Sequence, residues 1–521
     1  MYRWIRTWWV ILAGMVLLYI FGFGAANILR VATPYTITTL DWQGSTDSSL
    51  RRIGWHIWEG LVCYDEDFNV IPQLAKSYEV SDDGLKYTFY LRQGVQFHKG
   101  YGEMTAEDVK ASLERFFRYG ARADDFKLVT EVIVKDRYTV EITVSAQCPL
   151  LGLLASPLAF PAIMPQVLAA VPVRGLTVEQ VVGTGPFELV EHVPGEQLVL
   201  RKFANYSSDT RYDGPNGMGG RRTAYLDEVR IYFVLDAQTR YAGLLTGEYD
   251  YVSDPPYALL RTLQTDSRFA WGIRLIQKSV CNFNVTCPPT DNIAMRHAIM
   301  RALGMEDVLS PMVDGLTELC RLDSSLYAKE GQWWYPAAEL LGVWGRYPRI
   351  DEARRLLGIA GYKGEEIIIV AGSSQTARAG EVMVQQLKNA GLNAKLLVFD
   401  WATAVNYRTS GTQPWHIFLG GATQHMFDPV TMRLFYYGET SKRLWFYQNP
   451  ALDALVEVAD TLLDQEIRRQ VYNAIQEFIA ADLPCFNIGD FALWAAWNAK
   501  LNGPGLKQWY LDRFWDIWWG S

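Results

Sequence analysis

Two separated stretches repeat one pattern, and that repeat limits the possible folds more than any other feature. In the first, LDEVRIYFV reads as a strand, 237–246 as a helix and EYDYVS as a strand. In the second, EEIIIVAG is a strand, 376–390 is a helix with apolar positions at Val382, Val384 and Leu387, and AKLLVFD is a strand. Each is a β-α-β unit, the connection that builds a parallel sheet. Both carry Gln-Thr before or at the helix start and an arginine soon after, Gln238-Thr239-Arg240 and Gln375-Thr376-Ala-Arg378. Two such units in one chain argue for two α/β lobes. At about 150 residues per domain, the chain has room for about three domains. With 49% apolar and 20% charged residues, most of it should fold into buried cores.

The rest of the pattern is also mixed α and β. ILRVAT from Ile28 is a short strand, and 49–61 has helical periodicity with Trp55 and Trp58, leading into LVCYD. Ser81-Asp-Asp-Gly84 separates SYEV from KYTFYL, which predicts a hairpin. Thr105 and Asp108 have capping-box spacing ahead of VKASLERFFRYG. EVIVKD and TVEITVS read as strands, and FELVEHV and LVLRKF as a second hairpin. The segments 293–303, 351–357 and 449–481 are helical by pattern, and FNIGDFALWAAW is a strand. The tail QWYLDRFWDIWWGS is too short for a domain and is expected to pack on an existing core.

The amino-terminal segment indicates export. Arg3 and Arg6 precede an uncharged apolar run, 7–26, and Gly24-Ala25-Ala26 offers a cleavage site before Asn27. The run is also long enough to approach a bilayer span, so an uncleaved anchor stands beside the signal-peptide reading. In both readings the body lies outside the cytoplasm, periplasmic or at the cell surface. A mean hydropathy of -0.03 excludes a polytopic membrane protein. A net charge of -8 without any Lys/Arg run speaks against nucleic acid as a partner. Asn205-Tyr-Ser207 and Asn284-Val-Thr286 are possible glycan acceptors in an exported body. Cys281 and Cys287 are close enough for a small disulfide loop, with buried free thiols as the alternative.

Motifs for chemistry are absent. GTGPFE is followed by no GK[ST], and there is no HExxH, no GxSxG and no CxxC. The six histidines include no pair at i,i+4. No catalytic residue, metal site or cofactor is therefore expected.

Several collinear pieces resemble the family 5 extracellular solute-binding proteins, the peptide, nickel and oligosaccharide receptors of ABC importers. They include Leu40-Asp41, Trp58-Glu-Gly-Leu61, Pro72-Gln-Leu-Ala75 running into SYEVSDDGLKYTFYLRQGVQFHKG, and Met104-Thr-Ala-Glu-Asp-Val109. Gly183-Thr-Gly-Pro-Phe187, Leu226-Asp-Glu-Val229, Leu244-Leu-Thr-Gly-Glu248, Asp351-Glu-Ala-Arg354, Asp400-Trp401 and Asp428-Pro429 continue the series. The resemblance implies a two-lobed α/β fold, periplasmic-binding-protein-like, with an extra inserted domain (cluster C type). Lobe I would be discontinuous, 27–57, 182–287 and 488–521. The inserted domain would be 58–181 and lobe II 288–487. The Pro288-Pro289 region and the FNIGDF strand would be the hinging crossovers.

The resemblance also places candidate ligand residues. In peptide-binding members a carboxylate shortly before the Asp-Pro position grips the ligand's amino terminus; here that position is His425. Asp428 could stand in, or brace a turn. Trp401 falls where members place a cleft tryptophan, and Arg408 where some pair with ligand carboxylates. Thr423 and Gln424 border the pocket beside His425, Asp490 and Phe491 lie near the second crossover, and Thr46 and Ser48 lie where lobe I offers backbone. Trp333, Trp334 and Trp415 could extend an aromatic floor, with core packing the better expectation. The implied function is an extracytoplasmic receptor, expected to be monomeric, that captures a small peptide and delivers it to ABC permease subunits. Nineteen tryptophans and the missing amine anchor keep an oligosaccharide ligand in view. An anchored ligand sensor and a hydrolase are the rival classes.

Overall fold

The computed structural model describes residues 27–45, 47–157, 160–326, 345–372, 374–422, 428–430, 435–503 and 512–520. The expectations placed on 1–26, Thr46, Trp333, Trp334, Thr423, Gln424 and His425 lie outside them.

The chain opens with β1 (Ile28–Thr33) and α1 (Ser48–Gly54). The expected hairpin is β2 (Ala75–Val80) and β3 (Lys86–Leu91), where Asp83 accepts from the Leu85 N–H at 3.0 Å to hold the turn. α2 (Ala106–Tyr119) starts on the expected capping box, with the Thr105 N–H donating to Asp108 at 2.8 Å. With β4 (Val129–Asp136) and β5 (Thr139–Val144), these strands form a four-stranded antiparallel sheet in the order β2-β3-β5-β4. Arg115 of α2 reaches out of this region to Asp41, at 2.5 Å, and Gln43, at 2.9 Å.

β6 (Phe187–Val193) and β7 (Gln197–Lys202) are the second hairpin. β8 (Glu228–Phe233), α3 (Ala237–Thr246) and β9 (Tyr251–Ser253) form the first β-α-β unit. β1 lies between β8 and β9 and parallel to both. β10 (Phe269–Phe283), α4 (Ile293–Ala302) and α5 (Ile350–Ala360) lead to the second unit. That unit is β11 (Glu366–Ala371), α6 (Ser374–Asn389) and β12 (Asn393–Val398), extended by α7 (Trp401–Thr409) and β13 (Ile417–Ala422). α8 (Gly438–Trp445), α9 (Pro450–Thr461), α10 (Gln465–Asp482), β14 (Cys485–Asn498), β15 (Leu501–Asn502) and β16 (Trp518–Trp519) complete the described chain.

Both β-α-β units belong to one eleven-stranded sheet, in the order β12-β11-β13-β10-β14-β9-β1-β8-β7-β6, with the short Cys320–Arg321 strand against β14. The long antiparallel pair β10 and β14 joins the two halves, running from Phe269↔Asn498 to Asn282↔Cys485. β13 pairs with β10 and β9 with β14, so each unit hangs on one of the two long strands.

Four sequence expectations change. The helix expected over 49–61 stops at Gly54. The chain beyond it is drawn onto the Gly183–Gly185 turn, where the Ile57 carbonyl accepts from Gly185 at 2.9 Å and the His56 carbonyl from Phe187 at 3.0 Å. A Cβ at position 183 would sit 2.1 Å from the Ile57 oxygen, so this approach requires glycine. The 449–481 segment is two helices, because Asp464 restarts the chain as the cap of α10, accepting from Ile467 at 2.8 Å. Cys281 and Cys287 are free thiols: Cys281 is fully buried in β10, and Cys287 lies beyond its end with Sγ 3.6 Å from His416 Nε2. Asn284 is buried, its side-chain oxygen accepting from Thr286, which leaves no room for a glycan; Asn205 is exposed. No helix among the described residues is long and apolar enough to cross a membrane.

Candidate functional site

β11 runs parallel to both β12 and β13, so the carboxyl ends of all three gather on one edge of the sheet. In α/β sheets that edge is where ligands bind. β11 runs into Gly372 and β12 into Asp400 and Trp401, while β13 ends at Ala422. The topology therefore brings to one edge positions that are far apart in sequence.

Trp401 opens α7, which Asp400 caps by accepting from the Thr403 N–H at 3.0 Å. Trp401 is 49% exposed, unusual for an indole held by defined neighbours. Its ring centroid is 6.0 Å from that of Phe418, and a Cβ on residue 372 would lie 2.8 Å from its ring. Gly372 is thus the floor on which the indole rests.

Arg408 is seven residues, about two turns, beyond Trp401, so both side chains rise from one face of α7. The arginine is not on a solvated face: it is 6% exposed. Its guanidinium carbon lies 3.8 Å from the Trp445 ring centroid and 4.7 Å from that of Phe418. Its Nε has no hydrogen-bond partner, and no carboxylate among the described residues pairs with the charge. Burial alone lowers the guanidinium pKa to about 10. A buried cation that lacks a counter-charge is costly unless an anion completes it.

Asp490 stands on β14 directly opposite Lys278 of β10, whose other strand neighbour is Ala422, the last residue of β13. Two strand spacings place Asp490 about 10 Å from that end of β13. Its carboxylate accepts from Lys278 at 2.9 Å and from Arg321 at 3.0 Å, beside the buried Asp323. Phe491 is 4% exposed and belongs to the main core. Asp428 is buried and forms two 2.5 Å bonds to Arg468 of α10. Burial opposes the charge on Arg468 most strongly, but Asp428, Tyr472 and Asp460 together outweigh it and raise the arginine's pKa. Ser48 is the first residue of α1, where Asp47 accepts from the Ser49 N–H at 2.8 Å. Trp415 is core, 1% exposed, and its indole N–H donates to the Arg408 carbonyl at 3.1 Å.

Elsewhere, a cavity of about 530 Å³ opens between 64–70, 148–152 and 462–468, with Asp428 and Arg468 in its wall. Both of its charged groups are already bonded to each other. Among the described residues no cluster of His, Cys, Asp or Glu could hold a metal ion. Sequence reasoning missed Phe418, Trp445 and Gly372. Only the seven-residue spacing of Trp401 and Arg408 carried a readable signal, the shared helix face.

The sequence model described as "Bacterial extracellular solute-binding proteins, family 5 Middle" matches residues 69–443. A probable peptide ABC transporter periplasmic-binding protein, y4tO of Sinorhizobium fredii, is 26% identical over 479 residues, 86% of this chain and 85% of its own length. The glutathione-binding protein GsiB of Pectobacterium atrosepticum is 26% identical over 534 residues, 96% of each chain. The solved structure of the periplasmic binding protein AgaA of A. tumefaciens R10, in complex with agropinic acid, superposes with a TM-score of 0.79 at 23% identity, covering 95% of this chain and 99% of that one. That likeness establishes the fold as the two-lobed, mixed α/β architecture of periplasmic binding proteins.

Proposed function

The chain belongs to the bacterial extracellular solute-binding proteins of family 5, and on that premise we propose that it captures a peptide or peptide-like ligand bearing a carboxylate and delivers it to the permease of an ABC importer. The family binds substrate for transport and is not catalytic. The observation that carries the proposed ligand class is the pair on α7: an exposed Trp401 and a buried Arg408 that no carboxylate among the described residues pairs. A carboxylate closing onto Arg408 would supply the missing counter-charge, and the indole would cover the ligand's apolar part. The ligands of the relatives, peptide and glutathione, and of the structural neighbour, agropinic acid, are compatible with this chemistry.

In this reading the lobes divide as 27–57 with 182–287 and 488–521, against 288–487, with 58–181 as the inserted domain. The support is the strand pairing: β10 and β14 are the two long strands from which both β-α-β units hang, and lobe closure would bend them. The body acts outside the cytoplasm as a monomer, led there by residues 7–26.

Isothermal titration of the full chain tests the ligand class. Short peptides with a free carboxylate, glutathione among them, should bind, and their carboxyl-terminal amides should bind about 30-fold more weakly, the loss of one buried charge pair. Binding of neutral oligosaccharides with no response to peptides would replace this reading with a stacking site for sugars. Trp401→Ala should weaken ligand binding about tenfold or more, as removal of a central aromatic anchor does. The melting temperature should stay within a few degrees, because half of the residue is already in water. A matching loss of stability would make Trp401 a packing residue.

A further inference from the structure

The cavity of about 530 Å³ lies where three separate parts of the chain meet. One wall is the turn between Val62–Tyr64 and Val70–Pro72, which pair as a short antiparallel hairpin. The second is the helix Leu150–Ala155, and the third is the α9–α10 turn with the start of α10. These parts are in contact beside the cavity: a Cβ at position 152 would lie 3.2 Å from the Asp428 carboxylate, and one at position 84 would lie 3.0 Å from Leu463. Phe68, Val70, Val80, Leu151, Leu462 and Leu463 give the lining its apolar character. The polar groups set in the wall are engaged within the fold. The Tyr64 hydroxyl donates to the Gly152 carbonyl at 3.1 Å, the Tyr87 hydroxyl donates to the Cys148 carbonyl at 2.9 Å, and Asp428 holds Arg468. Asn69 and Gln465 are exposed.

We propose that this cavity is a second binding site, one that takes a small neutral molecule with an apolar body and ties the 64–70 turn and the 150–155 helix to α10. Its volume falls within the ~300–1,000 Å³ of small-molecule pockets, which are mostly apolar with a few polar groups. An apolar cavity of about 150 Å³ stays dry and takes up benzene, and this one offers more than three times that space. A charged ligand would find no counter-charge, because Asp428 and Arg468 already neutralise each other. Two features of the wall are costly while the cavity holds only water. Val80 and Leu463 are 38% and 47% exposed. Phe68 stands at a φ of 65°, a left-handed conformation unfavourable for any residue but glycine. The Asp65 carboxylate holds it there, accepting from the Asp67 N–H at 2.9 Å and the Asn69 N–H at 2.8 Å. An apolar occupant would cover the two aliphatic side chains and use the ring that this turn presents. Neither Trp401 nor Arg408 lines the cavity, so its ligand class is independent of the carboxylate read from α7.

Fluorescence titration of the full chain with N-phenyl-1-naphthylamine, a neutral probe that brightens in apolar surroundings, tests the site. The probe should bind saturably, one per chain, and raise the melting temperature, because it binds only where the three parts are assembled. Leu463→Asp puts a charge into the apolar lining and should weaken the probe at least tenfold. Its probe-free melting temperature should stay within a few degrees, since about half of Leu463 is already in water. Val80→Asp should act in the same way, so a folding defect in one variant leaves the other to decide. Brightening that does not saturate, or that both aspartate variants leave unchanged, would overturn the proposal. In the second case, loss of the probe on Trp401→Ala would place it at the carboxylate site instead.

Discussion

Arg408→Met should weaken binding of a carboxylate-bearing ligand about a hundredfold and leave the ligand-free melting temperature within ~2 °C of the parent. The two expectations come from one fact, that the charge is buried without a partner among the described residues. In the free protein the guanidinium bears the cost of burial, offset among the described residues by the Trp445 and Phe418 rings. A cation over an aromatic face contributes about 0.5–2 kcal/mol, comparable with the burial cost that methionine removes. The net change in stability is therefore close to zero. In the complex the same charge meets a desolvated carboxylate, and losing one partner of such a pair costs about 3 kcal/mol, or about a hundredfold in affinity. Affinity for amidated or neutral ligands should hardly change. Titration calorimetry on both ligand classes, with thermal unfolding of the free protein, checks this. With its pKa lowered to about 10, Arg408 stays charged at neutral pH. Its contribution to binding should be flat from about pH 6 to 8 and fall only as the pH rises through about 10. An equal loss for neutral ligands, or a large fall in melting temperature, would make Arg408 a core brace.

The contrast between Arg408 and Asp428 shows where sequence reading succeeds. Local elements were legible because their causes are local: the Thr105/Asp108 capping box, the Ser81–Gly84 turn and the periodicity of both β-α-β units lie within a few residues. The shortened α1 was not, because the chain leaves the helix to pair with a turn 128 residues away, from Ile57 to Gly185. The surroundings of the candidate site are also non-local. Arg408 is buried by Phe418 and Trp445, which arrive from β13 and α8. Seven-residue spacing put Trp401 and Arg408 on one face of α7 but gave no sign of whether that face was wet. Asp428 was readable as a turn brace more readily than as an amine anchor, but its partner, Arg468, lies 40 residues on and was not readable.

That partner makes the second large effect one of stability. Asp428→Asn should lower stability by about 3 kcal/mol, because it leaves the buried Arg468 with an amide where a carboxylate made two 2.5 Å bonds. For a chain this large the shift in melting temperature should be about 6 °C, at ~2 °C per kcal/mol. Replacing both members, Asp428→Leu with Arg468→Met, should recover most of the loss, since an apolar pair of similar volume removes both desolvation costs. Coupling of that size in the double-mutant cycle would mark a direct pair. The cycle also decides the role of Asp428. As a brace, it ties residues 428–430 to α10, so ligand affinity should fall modestly and for all ligand classes alike. As an amine anchor, its loss would spare the melting temperature and selectively abolish ligands with a free amino terminus. The two 2.5 Å bonds to Arg468 leave Asp428 little capacity to hold a second cation, so the first pattern is the expected one.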